Sequence, residues 1–115
     1  MDGDYFTITP GPVTTGTDGV PESHVALTGE FDLNARDILR EALVHLLDTA
    51  PSRRIIVDLT NVTFIDSEAI GAILEGLIAA QKVSKTLQLA NANRQIQRVF
   101  DVIGMNDLLR DPHHW

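Results

Sequence analysis

The run Arg54-Ile55-Ile56-Val57-Asp58-Leu59 places apolar side chains one after another instead of on alternate positions. A strand of that kind has both faces covered, which puts it inside a sheet. After a short polar crossing, Asp66-Ser67 opens an amphipathic helix with Ile70, Ile73, Leu74, Leu77 and Ile78 on one face, the spacing of a 3.6-residue period. A buried strand followed directly by a one-faced helix calls for a crossover to a parallel neighbour, and most of the chain can be read around that requirement.

Upstream, Tyr5, Thr7 and Thr9 alternate with Phe6 and Ile8, a short strand over 4–9 closed by Pro10-Gly11-Pro12. Residues 10–23 are rich in Gly, Pro and Thr, show no period, and read as a long flexible loop, beyond the usual length of about 2–5 residues for a hairpin connection. His24–Thr28 reads as a second strand ended by Gly29. Asn34 then caps a helix, with Asp37 in a box-like position and a stripe of Ala35, Ile38, Leu39, Ala42, Leu43, Leu46 and Leu47; Pro51 stops it. Thr86–Ala90 reads as a fourth strand, and Asn93 caps a last helix carrying Ile96, Val99, Phe100 and Ile103, ended at Gly104. Met105, Leu108 and Leu109 precede a polar tail at 110–115. Gly71 and Gly76 inside the second helix each cost about 1 kcal/mol relative to Ala, so a neighbour is expected close to that helix.

The expected fold is therefore a single α/β domain over 1–115. It has a mixed sheet of four to five strands, parallel through strands 2–4, and helices near 34–49, 67–82 and 93–103 packed mainly on one face. Loops leaving the C-terminal ends of parallel strands share one edge of a sheet, where ligands tend to bind. Residues 29–34, 61–67 and 91–93 would meet there, bringing Asp32, Asp66, Ser67 and Glu68 together. The result is one hydroxyl in acidic surroundings at a helix terminus. Asp and Ser are favoured at such termini for capping alone, and Glu68 suits a first turn through the helix dipole.

The segment Asp58–Gly71, DLTNVTFIDSEAIG, resembles the signature of the STAS domain, in particular of the small bacterial anti-sigma factor antagonists, whose shape is D-L-x-x-V-x-F-[hydrophobic]-D-S-S-G-[hydrophobic]-G. Leu27-Thr28-Gly29-Glu30-Phe31-Asp32 is similar to the family's L-x-G-E-[hydrophobic]-D. The resemblance covers roughly 22–109 and implies a STAS-like fold. It implies that Ser67 is a switch phosphorylated by a partner kinase that is also an anti-sigma factor. A metal-dependent, PP2C-type phosphatase would reset the switch, and Asp32, Asp66, Ser67, Glu68, Ile70 and Gly71 would form the partner surface. The chain departs from the motif at Glu68, where the family has a second Ser, and at Ala69, where it has Gly. Glu68 thus adds a carboxylate beside the acceptor. Two other roles stay open, neither needing phosphate on Ser67: a scaffold or sensor component of a signalling assembly, or a STAS subunit of a lipid-transporting ATPase.

Other chemistries find little support. No G-x-S-x-G elbow exists, and none of His24, His45, His113 and His114 is placed to serve Ser67 as a base, so no enzyme is expected. His113-His114 lacks further ligands for a metal, and no phosphate-binding glycine loop is present, so no metal and no cofactor are expected. A net charge of −7 argues against nucleic acid. The apolar run 70–80 is broken by Glu75 and is short of the roughly 20 residues that span a bilayer, and residues 1–20 lack a secretory signal. With no Cys, the chain fits a reducing compartment, and a cytoplasmic location is expected.

Overall fold

The computed structural model describes residues 5–109. Four strands, β1 (Phe6–Thr15), β2 (Pro21–Phe31), β3 (Arg54–Ile65) and β4 (Thr86–Ala90), form one sheet in the order β1-β2-β3-β4. β1 and β2 are antiparallel; β2, β3 and β4 are mutually parallel. Three helices, α1 (Arg36–Thr49), α2 (Ser67–Lys82) and α3 (Arg94–Val102), follow β2, β3 and β4. Single 3-10 turns lie at Leu33–Ala35 and Asn106–Leu108.

The buried strand identified from sequence is the inner strand β3, flanked by β2 and β4. Val25, Val57 and Leu89 lie in one row across the sheet, and Ser23, Ile55 and Leu87 in the next. The apolar residues of these rows, Ser23 excepted, share a single cluster with Leu39, Leu43 and Leu47 of α1, Ile70 and Ile73 of α2, and Ile96 and Phe100 of α3. All three helices therefore cover one face. On the other face Ile56, between His24 and Gln88 in the register, is also buried, which accounts for the unbroken apolar run. α2 approaches α1 closely at Gly76, where an added Cβ would lie 3.0 Å from Leu43 Cδ1. Lys85 Nζ donates to the carbonyls of Leu47 (2.8 Å) and Ala50 (2.7 Å), satisfying the end of α1.

The flexible loop expected over 10–23 is instead mostly strand. β1 continues to Thr15 and β2 begins at Pro21, leaving a short turn closed by Gly16 N donating to Val20 O and Gly19 N to Gly16 O. The prolines are accommodated because β1 is an edge strand and its register shifts between Pro10 and Val13. A contact from distant sequence fixes the turn. Arg54, at the start of β3, pairs with Asp18 at 2.7 Å and with the nearly buried Glu22 at 3.0 Å. Nothing local to 10–23 announces that partner. The tail at 110–115, with His113 and His114, lies outside the described residues.

Two expectations follow. Gly29 has φ +100, and a Cβ there would fall 2.2 Å from Tyr5 O, so Gly29→Ala should destabilise the domain by on the order of 2–3 kcal/mol in urea unfolding. The Asp18 carboxyl is held at about 2, against an ordinary 3.8, first by its hydrogen bond from Arg54 and then by Val20 N. Because the unfolded chain takes up that proton at higher pH, Asp18 contributes stability that is complete above its ordinary pKa and is lost as pH falls through the folded value. Asp18→Asn should therefore be less stable than wild type near neutral pH, with the gap in urea midpoints closing as pH falls from about 4 to about 2.

Candidate partner-binding face around Ser67

β3 outruns β4. Its ladder with β4 ends at Asp58↔Ala90, whereas its ladder with β2 continues to Phe31↔Ile65, and Asp66 N donates to Phe31 O at 3.1 Å. The two strand ends therefore project together beyond the sheet, and each ends in an aspartate with extended backbone. Asp32 Oδ1 accepts from Asn34 N at 2.9 Å, and Asp66 Oδ1 accepts from Ala69 N at 3.0 Å. Both carboxylates cap the turn that follows them. Asn34 is therefore not the cap of α1 and Asp37 completes no capping box: the chain first makes a 3-10 turn that buries Ala35, and Asp32 caps that turn. The third expected segment is also at this edge, as Asn93 caps α3 through Ile96 N and donates Nδ2 to Val62 O at 2.9 Å.

Ser67 is the first residue of α2 and is exposed. Asp66 takes the cap, so the helix makes no use of the serine side chain. Among the described residues no hydrogen bond engages its hydroxyl. Beside it, Glu68 is not the free carboxylate the sequence suggested. Arg36 Nη1 of α1 donates to Glu68 Oε2 at 3.1 Å, and Arg36 Nε reaches Asp37 at 3.3 Å. These two contacts, Glu68 first, raise the Arg36 guanidinium further above its ordinary value. One turn on, Arg40 pairs with Asp37 at 3.3 Å and with Glu75 of α2 at 3.6 Å. Two arginines spaced i, i+4 thus lace α1 to the acidic side of α2. That spacing was the available sign; the acceptors lie more than thirty residues away in sequence.

The remaining candidates separate. Ile70 is 2% exposed and belongs to the core, behind the surface. Gly71 is half-buried, and an added Cβ would meet nothing within 4 Å, so the close neighbour expected for both glycines exists only at Gly76. Ser67, Gly71, Leu74 and Ile78 follow one another at helical spacing along the outer side of α2. Ile78, read from sequence as inward, is 55% exposed there. Leu33 and Phe64, exposed near the ends of β2 and β3, add apolar surface that the sequence reading did not single out. The face is a small neutral hydroxyl and a glycine over an apolar stripe, with its nearest carboxylates engaged in caps or ion pairs.

Among the described residues no group of three His, Cys, Asp or Glu could hold a metal, and no helix is long and apolar enough to cross a membrane. His24 pairs with Thr14 Oγ1 at 2.7 Å in the hairpin, and His45 lies on the exposed side of α1.

The fold has counterparts among known proteins. The family described as Mlab, STAS domain matches residues 16–110, and the chain belongs to the STAS domain family. The anti-sigma-B factor antagonist of Bacillus subtilis is 31% identical over 85 residues, covering 74% of this chain and 76% of that protein. The fold is that of the anti-sigma factor antagonist SpoIIAA. Its unphosphorylated form superposes with a TM-score of 0.72 at 21% identity, over 91% of this chain and 87% of that one. The phosphorylated form, from Bacillus, gives 0.64 at 21% identity over 91% and 90%. A STAS-domain containing protein of Pseudomonas aeruginosa is 28% identical over 89 residues, covering 77% of this chain and 86% of that protein.

The open space at Gly71 can be tested directly. Gly71→Ala should raise stability by about 0.5–1 kcal/mol in chemical denaturation, because alanine meets no obstacle and removes backbone freedom from the unfolded chain. Gly76→Ala, pressed against Leu43, should show no such gain.

Proposed function

We propose that this protein is an anti-sigma factor antagonist that binds an anti-sigma factor with serine kinase activity and is switched by phosphorylation of Ser67. The observation that carries this reading is the Ser67 hydroxyl itself, exposed at the first position of α2 and released from any capping duty by Asp66. The unphosphorylated chain engages the kinase through the outer side of α2 and the adjoining loops, with Asp32, Asp66, Ser67, Glu68 and Gly71 at the contact and Ile70 supporting it from beneath. The sigma factor is then free. The kinase transfers the γ-phosphoryl group of ATP to Ser67 Oγ, ADP leaves, and the hydroxyl proton passes to the kinase's base. A PP2C-type phosphatase hydrolyses the ester and restores the binding form. Catalysis belongs to those partners, in the cytoplasm, and this chain is their substrate.

Charge makes so small a change sufficient. Phosphate brings about −1.5 to −2 charges and three acceptor oxygens. The α2 N-terminus favours an anion by only about 0.3–1 kcal/mol at an exposed position. A partner surface complementary to a neutral hydroxyl must desolvate a dianion, and a difference of about 4 kcal/mol changes affinity roughly a thousandfold. No backbone rearrangement is required.

In a second reading the chain is a STAS subunit of a lipid-transporting ATPase or a scaffold in a signalling assembly, with the same face bound constitutively. Glu68 and Ala69 in place of the motif's Ser and Gly favour it, since both alter the surroundings a kinase must approach.

Calorimetric titration against candidate anti-sigma kinases separates the two. Ser67→Ala, neutral and small, should bind within a factor of a few of wild type. Ser67→Asp should bind more weakly by about 1–2 kcal/mol, partial because a carboxylate carries less charge than phosphate. Wild-type affinity for both variants would remove Ser67 from the interface.

A further inference from the structure

The pairing of Glu68 with Arg36 has a consequence for the modified state. We propose that Arg36 is the internal counter-ion of phosphorylated Ser67: it leaves Glu68 for the phosphate, and Glu68 is turned out as a second free anion on the partner face. This rests on the reading of Ser67 as the phosphoacceptor.

Four features of the structure support the exchange. Arg36 bridges from the first residue of α1 to the first turn of α2, where Ser67 and Glu68 are consecutive, so its guanidinium already lies beside the acceptor's neighbour. Its Nη2 group has no acceptor among the described residues, while Nη1 holds Glu68 and Nε holds Asp37. The pair is also open to solvent, with the two side chains 41% and 51% exposed, and such pairs hold their geometry weakly. A phosphate dianion offers up to twice the charge of a carboxylate and a bidentate fit to the guanidinium fork, so it is the stronger acceptor at comparable distance. Leaving Asp37 is inexpensive as well, because Arg40 pairs with Asp37 at 3.3 Å whether or not Arg36 stays.

The exchange would enlarge the switch. Before modification the face presents a neutral hydroxyl and a Glu68 neutralised by Arg36. Afterwards it presents a phosphate held by Arg36 and an unpaired Glu68, so the change registers at two positions. Glu68 then becomes part of the response instead of a permanent obstacle, consistent with a carboxylate being tolerated where the motif has Ser.

The test needs no kinase. Phosphoserine is placed at position 67 of the full chain by translational incorporation, and the phosphate is titrated by phosphorus NMR while the Arg36 guanidinium is followed through its Nε nitrogen. The charged groups around the site are Asp32, Asp66 and Glu68 on the strand ends and α2, and Arg36, Asp37 and Arg40 on α1, so each variant changes one of them. With Arg36 as counter-ion, the second phosphate pKa, near 6 in an unrestrained phosphoserine, should be lower in the phosphorylated wild type than in Arg36→Gln by about half a pH unit. The Arg36 Nε resonance should follow the ionisation of the phosphate in the phosphorylated wild type. Glu68→Gln, which removes a like charge and frees Arg36, should lower the phosphate pKa further, and Arg36→Lys should fall between Arg36→Gln and wild type.

An unchanged phosphate pKa in Arg36→Gln, with amide spectra showing the fold retained, would overturn the proposal. So would an Arg36 Nε resonance indifferent to ionisation of the phosphate, and that measurement needs no Arg36 variant. A phosphate coupled to Arg36 in a chain whose kinase affinity ignores phosphorylation would sustain this inference and defeat the functional reading instead.

Discussion

The parallel ladder between β2 and β3, carried beyond the end of β4, is the constraint on which the rest depends. Two strand ends locked side by side, with Asp66 N bonded to Phe31 O, bring two chain segments that are distant in sequence to the same height. Each then turns into a helical element through an aspartate cap. The start of α1 and the start of α2 are held at a set spacing by that ladder. Arg36 can meet Glu68, the residue after Ser67, because the strands set the spacing.

The electrostatics of the edge follow from the division of labour between neighbouring residues. Asp66 satisfies an orphan amide of α2, and Asp32 does the same for the turn ahead of α1. Glu68 and Glu75 are answered by arginines across the helix seam. What would otherwise be a concentration of negative charge is mostly engaged, and among the described residues the Ser67 hydroxyl has no structural task. A modification there meets little resistance from folding, since no cap or core contact is lost. It meets a large response from any partner that has to exclude water from the same spot.

At the opposite end of the sheet, Arg54 serves the hairpin as Arg36 serves the helix pair. Each arginine begins a secondary-structure element and reaches acidic groups more than thirty residues away. The Arg54 contacts hold in place a turn of glycine, threonine and aspartate whose local composition is undecided, whereas the more open Arg36 pair neutralises a carboxylate in the first turn of α2.

Local sequence was enough to read β4, α2, α3 and the first half of β3, because each is specified by its own side chains: consecutive apolar residues, a capping Asp or Asn, a helical stripe. The stretch after Leu59, read as a polar crossing, instead continues β3 to Ile65 because β2 pairs alongside it. The strand-to-helix junction at Asp66-Ser67 was legible for the same reason. The hairpin was not. Pro10, Pro12 and the glycines disfavour a strand in isolation, and it forms because an edge position spares the prolines their missing hydrogen bonds and because Arg54 closes the turn. Nor could the sequence say that Ile78 faces outward, that Gly71 has open space where Gly76 has Leu43, or that Glu68 is paired. Each of these depends on which other element lies across the way. Short-range propensities and periodicities act within a few residues, and they determined the elements and the placement of the serine. The charge state of its surroundings was decided only by tertiary structure, since ion pairs and close packing are set by distance in space, which the β2–β3 ladder fixes.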